Sequence, residues 1–183
     1  MKNLANRITI FRIALIPVFL LLAYTGHLYW ALGLFILASV SDALDGWIAR
    51  RFNQITNFGK FMDPLADKVL VVSAMCYFVE IGRMPGWALA VVLFREFAVS
   101  GLRLIAVEQG RVIAAAPSGK IKTAATMICL CLMLATRAPE PWDSAPDFIA
   151  HWSTAVILLT TVYSGIEYYW KNRDVLKEVR NRP

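Results

Sequence analysis

Long apolar segments alternate with short polar connections along almost the whole chain. A bilayer crossing requires about 20 predominantly apolar residues. Six segments meet or approach that length, and the shortest, the fifth, could begin earlier, near Ala114. They cover residues 8–24, 28–49, 61–81, 87–107, 121–136 and 148–169. The pattern therefore predicts an all-α integral membrane protein with six transmembrane helices.

The composition favours the same class of protein. Of the 183 residues, 58% are hydrophobic and 17% are charged, whereas soluble domains carry about 25% charged residues. The first apolar segment resembles a signal peptide, but Arg12 interrupts it and no small-x-small cleavage site follows, so we interpret it as a retained span. We expect one transmembrane domain over residues 1–170 and a basic cytoplasmic tail over residues 171–183.

Basic residues are distributed unequally between the two sides of the predicted membrane domain. Thirteen lie before the first segment, in the second and fourth connections or in the tail, whereas only Arg83 and Arg137 lie on the other side. By the positive-inside rule both termini face the cytoplasm. This asymmetry accounts for the net charge of +6 as a membrane-surface feature, so no nucleic-acid partner is expected.

Several aromatic residues and all three cysteines need no ligand to explain them. The aromatic residues near predicted span ends are typical of an interfacial belt, and they are Tyr29, Trp30, Trp87, Trp142, Trp152, Tyr168, Tyr169 and Trp170. Cys76, Cys129 and Cys131 lie within apolar runs and lack metal-ligand spacing. We interpret them as small buried hydrophobic residues.

Four aspartates lie where the second and third apolar segments meet, in the stretch SDALDGWIARRFNQITNFGKFMDPLADK. Asp42 and Asp45 are three residues apart at the end of span two, and Asp63 and Asp67 are four apart at the start of span three. Each spacing puts one pair on one helix face. Because the connection is short, the two helices are antiparallel neighbours. The four carboxylates can therefore converge just below the cytoplasmic surface.

Four carboxylates near a bilayer need positive charge to offset their cost. One alternative is a salt-bridged helix hairpin that uses Arg50, Arg51, Lys60 and Lys68. Divalent cations satisfy the geometry better, because carboxylate oxygens at these spacings suit Mg²⁺ or Mn²⁺. Gly46 and Gly59 lie beside the carboxylates and leave room for the phosphates or base of a substrate, although close helix packing also explains each glycine.

These residues together form a signature. Asp42-x-x-Asp45-Gly46-x-x-Ala49-Arg50, then eight residues, then Gly59-x-x-x-Asp63-x-x-x-Asp67 resembles the CDP-alcohol phosphotransferase signature at every fixed position. The opening segment LANRITIFRIALIP is also similar to that of the family, with Asn6, Thr9 and Arg12 in place and Ala5 where proline is common. REFAVSGLR and GKIKT resemble the phosphatidylglycerophosphate-forming branch in particular.

The resemblance implies transfer of the phosphatidyl group from CDP-diacylglycerol to sn-glycerol 3-phosphate, giving phosphatidylglycerophosphate and CMP. It implies in-line attack of the alcohol on the β-phosphorus, assisted by two divalent cations, Mg²⁺ or Mn²⁺. By the family pattern the metal ligands are Asp42, Asp45, Asp63 and Asp67, and Asp67 is also the catalytic base. It further implies a homodimer in the inner (plasma) membrane of a bacterium, with the active site facing the cytoplasm.

The same resemblance implies a set of contacts to the CDP-lipid, made by Asn6, Thr9, Gly46, Arg50, Thr56 and Gly59. Taken without it, Arg50 could also be a positive-inside anchor. Asn6, Thr9 and Thr56 fit helix caps or loop residues. Both explanations stay open for these residues.

A phosphorylated acceptor needs fixed positive charge near the metals. Arg95 and Arg103 lie eight residues apart on roughly one side of span four, although Arg95 could instead pair with Glu96 or Glu108. Lys120 and Lys122 lie at the start of span five and point to different faces of a helix. We expect Arg95 and Lys120 to bind the acceptor phosphate, with Arg103 and Lys122 as further candidates.

Other functions fit parts of the pattern. A divalent-cation transporter also places aspartates in a membrane, but here they lie near one face, and spans five and six carry almost no polar lining. An intramembrane prenyltransferase needs more than six helices. The nearest alternative is the same chemistry with inositol phosphate, serine, choline or phosphatidylglycerol as acceptor. The basic residues and GKIKT favour glycerol 3-phosphate.

Overall fold

The computed structural model is all-helical over the residues that it describes, which confirms the predicted all-α class. Those residues are 4–51, 57–111, 113, 116–136 and 146–174, with side chains described except at 4–10, 42–51, 57–67 and 146–147. They form six helices and no strand. The helices are α1 Leu4–Tyr24, α2 Leu28–Arg51, α3 Asn57–Glu80, α4 Gly86–Glu108, α5 Pro117–Ala135 and α6 Pro146–Lys171.

Each helix overlaps one predicted apolar segment, and the differences lie at the helix ends. α1, α3 and α5 begin four residues earlier than their apolar segments, because backbone hydrogen bonding continues into polar flanking residues. α5 begins at Pro117. Proline suits the first helical position, where its missing N–H and fixed φ are tolerated.

Three helices end in the same glycine turn. Gly26, Gly82 and Gly110 have φ values of 82°, 74° and 72°. After α4, the Gly110 N–H donates to the Val107 carbonyl at 2.9 Å and the Arg111 N–H donates to the Ala106 carbonyl at 2.8 Å. This pair of bonds is the Schellman motif, and equivalent bonds close α1 and α3. The turns after α1 and α3 make α1/α2 and α3/α4 antiparallel neighbours.

A shared apolar core contains residues from all six helices. Phe19 of α1 and Phe35 of α2 are fully buried, with ring centroids 5.7 Å apart. Leu70 of α3 and Leu130 of α5 are fully buried in the same cluster. α6 packs against α5 and α4, and α4 also contacts α3. α4 therefore lies at one side of the bundle.

The outer surface of the bundle is apolar, as expected of a protein surrounded by lipid. On α4, the side chains of Phe94, Phe97 and Leu104 are among the most exposed. Among the described residues, two stretches are long and apolar enough to cross a membrane, Pro117–Ala135 and Phe148–Lys171. The apolar stretches Phe11–Tyr24 and Leu28–Ser41 are shorter. Six complete crossings and the position of the termini stay predictions.

The interior of α5 and α6 is more polar than the sequence suggested, so the expectation of almost no polar lining in spans five and six was wrong. Seven buried polar residues lie on these helices: Ser118, Lys122, Thr126, Ser153, Thr154, Thr161 and Ser164. Thr126 Oγ1 donates to the Lys122 carbonyl at 2.9 Å. Small hydroxyl groups can bond to their own helix in this way, and they allow helices to approach closely.

Two further expectations about burial were wrong. Tyr168, assigned to an interfacial belt, is 2% exposed. Cys76, expected to be buried, is exposed, whereas Cys129 is buried and Cys131 is partly buried. The apolar side chains of a membrane bundle gain little by choosing the interior over lipid. An apolar context alone therefore does not predict burial here.

The other described belt residues are exposed, as the belt requires: Tyr29, Trp30, Trp87, Trp152, Tyr169 and Trp170. Trp142 lies outside the described residues.

Candidate active site

The four aspartates belong to two helices that contact each other and α1. Asp42 and Asp45 lie in the last part of α2, and Asp63 and Asp67 lie in the first part of α3. The structure does not describe their side chains. Convergence of the four carboxylates therefore stays a prediction.

The candidate contacts to the CDP-lipid also fall where side chains are not described. Asn6 and Thr9 lie in α1, Gly46 and Arg50 in α2, and Gly59 in α3. Thr56 lies outside the described residues. The fold places the five described positions on α1, α2 and α3, which contact one another.

Described contacts between α1 and α2 fix the depth of Asp42. The two helices are antiparallel, and Phe19 lies against Phe35. Every helix rises 1.5 Å per residue. Counting seven residues from this pair, backwards along α1 and forwards along α2, brings Arg12 level with Asp42.

A second contact fixes the depth of α3 against α1. Tyr24, at the end of α1, donates a hydrogen bond to Glu80, at the end of α3. Counting twelve residues back along each helix brings Arg12 level with Lys68, which follows Asp67. The backbones at Asp42 and Asp67 therefore lie at about the same depth in the bundle.

Arg12 places a fixed positive charge at that depth. Its side chain is 2% exposed and is the largest of the fully buried ones described. Burying a guanidinium without a partner is very costly, and Arg12 does have an interaction partner. The sequence showed Arg12 only as an interruption of an apolar segment and as part of the opening motif. Its burial next to the aspartate-bearing helices comes from the fold.

An ion cluster centred on Glu96 joins α3, α4 and α5. Glu96 Oε1 accepts hydrogen bonds from Arg95 Nη1 at 3.0 Å and from Lys122 Nζ at 2.9 Å. Glu96 Oε2 lies 3.4 Å from Lys68 Nζ. Lys68 Nζ also donates to Ser100 Oγ at 2.8 Å. We call Lys68, Arg95, Glu96 and Lys122 the Glu96 cluster.

Burial within the Glu96 cluster is graded. The side chain of Lys122 is 6% exposed and that of Lys68 is 42% exposed, with Arg95 and Glu96 between them. The cluster is therefore closed at α5 and open at α3. Since Lys68 follows Asp67 in α3, the open side lies at the depth of the predicted metal site.

Two glycines make room for the Arg95 side chain. A Cβ atom at Gly165 of α6 would lie 3.2 Å from Arg95 Cγ, and one at Gly119 of α5 would lie 3.8 Å from Arg95 Nη2. The first distance is too short for ordinary packing, whereas the second is a normal contact. Arg95 therefore runs between α5 and α6, and its Nε is buried without a hydrogen-bond partner among the described residues.

The other two acceptor candidates lie apart from the Glu96 cluster. Arg103 Nε donates to the Tyr168 hydroxyl at 3.1 Å, and its guanidinium carbon lies 5.6 Å from the centre of that ring. This geometry combines a hydrogen bond with a cation–π contact. Lys120 is exposed at the start of α5. The structure thus brings together Arg95 and Lys122, one from each predicted pair.

Sequence reasoning missed the central position of Glu96 and the membership of Lys68. It treated Glu96 only as a possible partner of Arg95, and Lys68 only as a counter-charge for the aspartates. A signal was present, because a carboxylate within an otherwise apolar helix requires a buried partner. The signal does not identify which helices supply that partner.

Among the residues with described side chains, no group of three or more His, Cys, Asp or Glu is placed to hold a metal ion. The four aspartates fall outside that set. Their chemistry still fits the implied cofactor, since carboxylate oxygens are the ligands that Mg²⁺ and Mn²⁺ prefer.

Comparison with known proteins defines the class. Residues 2–164 match the CDP-alcohol phosphatidyltransferase family. Because this match covers most of the chain, the protein belongs to the CDP-alcohol phosphatidyltransferase family. The predicted family and enzyme class are confirmed, and the transporter and prenyltransferase alternatives lose their support.

Three named relatives show which members of the family the chain resembles. The chain is 42% identical to the CDP-diacylglycerol–glycerol-3-phosphate 3-phosphatidyltransferase of Bacillus subtilis, over 97% of this chain and 98% of the relative. It is 37% identical to the Escherichia coli K12 protein of the same name, over 91% and 92% of the two chains. It is 34% identical to a probable phosphatidylglycerophosphate synthase of Mycobacterium tuberculosis, over 91% of this chain and 79% of the relative.

The two glycines beside Arg95 give a paired test of its packing. Gly→Ala in a helix gains up to about 1 kcal/mol in helix propensity, whereas overpacking costs about 1–3 kcal/mol. Arg95 is held at its far end by Glu96 and cannot move aside freely. We expect Gly165→Ala to lower the thermal unfolding midpoint in detergent relative to Gly119→Ala. Equal midpoints for the two variants would contradict the tight packing of Arg95 against α6.

Proposed function

We propose that this protein transfers the phosphatidyl group from CDP-diacylglycerol to sn-glycerol 3-phosphate, giving phosphatidylglycerophosphate and CMP. Membership of the CDP-alcohol phosphatidyltransferase family supports the donor chemistry, and the names of the relatives support this acceptor. The observation that carries the choice of acceptor in this chain is the convergence of Arg95 and Lys122 on Glu96 beside α3. Such positive charge suits a phosphorylated alcohol better than a neutral one.

The proposed setting is the inner membrane of a bacterium. All six helices cross the bilayer, both termini are cytoplasmic, and a basic tail over residues 171–183 follows the membrane domain over residues 1–170. The distribution of basic residues supports this orientation, and the apolar outer surface supports the membrane location. The acyl chains of the donor then stay in lipid while its pyrophosphate reaches the aspartates. A homodimer stays a prediction from the family resemblance.

In the proposed mechanism, the four aspartates would hold two divalent cations, Mg²⁺ or Mn²⁺. These cations would supply positive charge that offsets the charge of the pyrophosphate. The CDP portion is oriented by six residues: Asn6, Thr9, Gly46, Arg50, Thr56 and Gly59. The role of the chain is to fix the phosphorus in line between the acceptor hydroxyl and CMP.

The acceptor is bound through its phosphate and activated at its hydroxyl. Arg95 and Lys122 bind the phosphate. Lys120, at the exposed start of α5, and Arg103, on Tyr168, lie further out and attract the anion as it approaches. Asp67 takes the proton from the acceptor hydroxyl as the new O–P bond forms and the bond to CMP breaks.

One assay tests the proposed reaction. Purified protein is incubated with CDP-diacylglycerol and a panel of alcohols, and CMP release is measured with and without a chelator. We expect release with glycerol 3-phosphate to exceed that with serine, inositol phosphate or phosphatidylglycerol, and the chelator to abolish it. Preference for another alcohol would show that glycerol 3-phosphate is not the acceptor. CMP release that survives chelation would contradict the metal mechanism.

Asp67→Asn tests whether Asp67 acts as the catalytic base or only stabilises the fold. The amide cannot accept the proton, so we expect turnover to fall by about 100- to 10,000-fold. Binding of CDP-diacylglycerol, measured by calorimetry, should be largely kept, as should the unfolding midpoint. Loss of folding would instead support a salt-bridged helix hairpin.

Arg95→Ala tests the acceptor pocket. Removing charge-assisted hydrogen bonds worth about 1.5–3 kcal/mol should raise the KM for glycerol 3-phosphate by about 10- to 100-fold. The KM for CDP-diacylglycerol should change much less. Arg173→Ala, at an exposed arginine beyond α6, is the matched control and should leave both constants unchanged. An equal rise in both constants for Arg95→Ala would show that Arg95 does not belong to the acceptor pocket.

A further inference from the structure

Glu96 is the only carboxylate in a group of four charged side chains drawn from three helices. Three cations, Lys68, Arg95 and Lys122, contact it within 3.4 Å. Both carboxylate oxygens are used, Oε1 by Arg95 and Lys122 and Oε2 by Lys68. One cation would already neutralise the buried carboxylate. The second and third cations therefore require another explanation.

The charge of the Glu96 cluster matches a particular kind of ligand. Three positive charges and one negative charge leave a net charge of +2. A phosphate monoester carries close to two negative charges at pH 7, because its second pKa is near 6. The cluster becomes neutral when it binds one such dianion, whereas a neutral alcohol leaves its excess charge uncompensated.

Some N–H donors of the cluster have no hydrogen-bond partner among the described residues. An ammonium group has three N–H donors and a guanidinium has five. Among the described residues, Lys68 Nζ contacts only Ser100 Oγ and Glu96, which uses two of its three donors. Arg95 Nε is buried without a partner among the described residues. The most exposed member is Lys68, so an anion can reach the cluster from the α3 side.

Without Glu96 this arrangement would be unfavourable. The side chain of Lys122 is 6% exposed, and an unpaired buried ammonium is costly. Lys68, Arg95 and Lys122 would also repel one another. The carboxylate therefore assembles the three cations before any substrate is present, and less of the binding free energy is lost in ordering them.

We propose that Glu96 is a positioning residue for the acceptor phosphate, and that Lys68 is an additional phosphate ligand on the side nearest Asp67. Glu96 holds Lys68, Arg95 and Lys122 as a doubly positive pocket that selects a phosphate monoester over a neutral alcohol. Ser100 fixes the Lys68 ammonium on the α4 side. This inference rests on the proposed transfer to a phosphorylated acceptor.

Glu96→Gln is the central test. It keeps the size of the side chain but removes the anchoring charge, so we expect the KM for glycerol 3-phosphate to rise at least 10-fold. The KM for CDP-diacylglycerol and the kcat at saturating acceptor should stay within about threefold. Glu96→Asp keeps the charge and should recover most of the acceptor affinity. Glu108→Gln, at an exposed acid of the same helix, is the matched control and should match the parent protein.

Binding provides a readout that does not depend on turnover. Glycerol 3-phosphate should raise the unfolding midpoint of the parent protein and should raise that of Glu96→Gln much less at the same concentration. If Glu96→Gln fails to fold, Lys68→Met and Ser100→Ala carry the test. We expect Lys68→Met to raise the acceptor KM about 10-fold and Ser100→Ala to raise it a few-fold.

The outcomes separate the possible roles. An acceptor KM within twofold of the parent value in a stable Glu96→Gln variant overturns the proposal. So does a parallel rise in both KM values with a lowered unfolding midpoint, because that result shows a purely structural ion cluster. If the parent protein releases CMP only with a different alcohol, the proposed function fails before any variant is compared.

Discussion

The ion cluster at Glu96 is the interaction on which the arrangement of the basic half of the site depends. Charged side chains inside a bundle with an apolar exterior must find partners within the bundle. One carboxylate on α4 meets this need for Lys68 of α3, Arg95 of α4 and Lys122 of α5. α4 lies at one side of the bundle, and the cluster is its polar connection to α3 and α5.

Space for this cluster is provided by residues that carry little or no side chain. Gly165 and Gly119 flank Arg95, and hydroxyl residues such as Thr126 satisfy their own hydrogen bonds within α5. These residues let α5 and α6, which share the most extensive interhelical packing in the described part of the chain, approach closely around a large charged group. The glycines of α5 and α6 thus help to house a guanidinium in a lipid-facing bundle.

The acidic and basic parts of the candidate site lie at similar depth, the acidic part on α2 and α3 and the basic part on α3, α4 and α5. Counting from described contacts puts Arg12, Asp42 and Lys68 at about one level. Glu96 and Ser100 hold the Lys68 ammonium on the α4 side. Such an arrangement suits the proposed reaction between two anionic substrates, in which the aspartates would hold the metal ions and the basic side would bind the acceptor.

The sequence by itself determined the helical class, six helices within about a turn of their limits, and the family, because apolar periods and a spaced signature are local properties of the chain. It also singled out Arg95 and Lys122 as candidates. Only the tertiary structure decided that Lys122, rather than Lys120, meets Arg95, that Glu96 links them to Lys68, and that Tyr168 turns inward to Arg103. The physical reason is that helices in lipid gain little from burying apolar residues. The rotation of each helix about its own axis is therefore set by the polar groups that pair across helices. Those partners are far apart in the sequence.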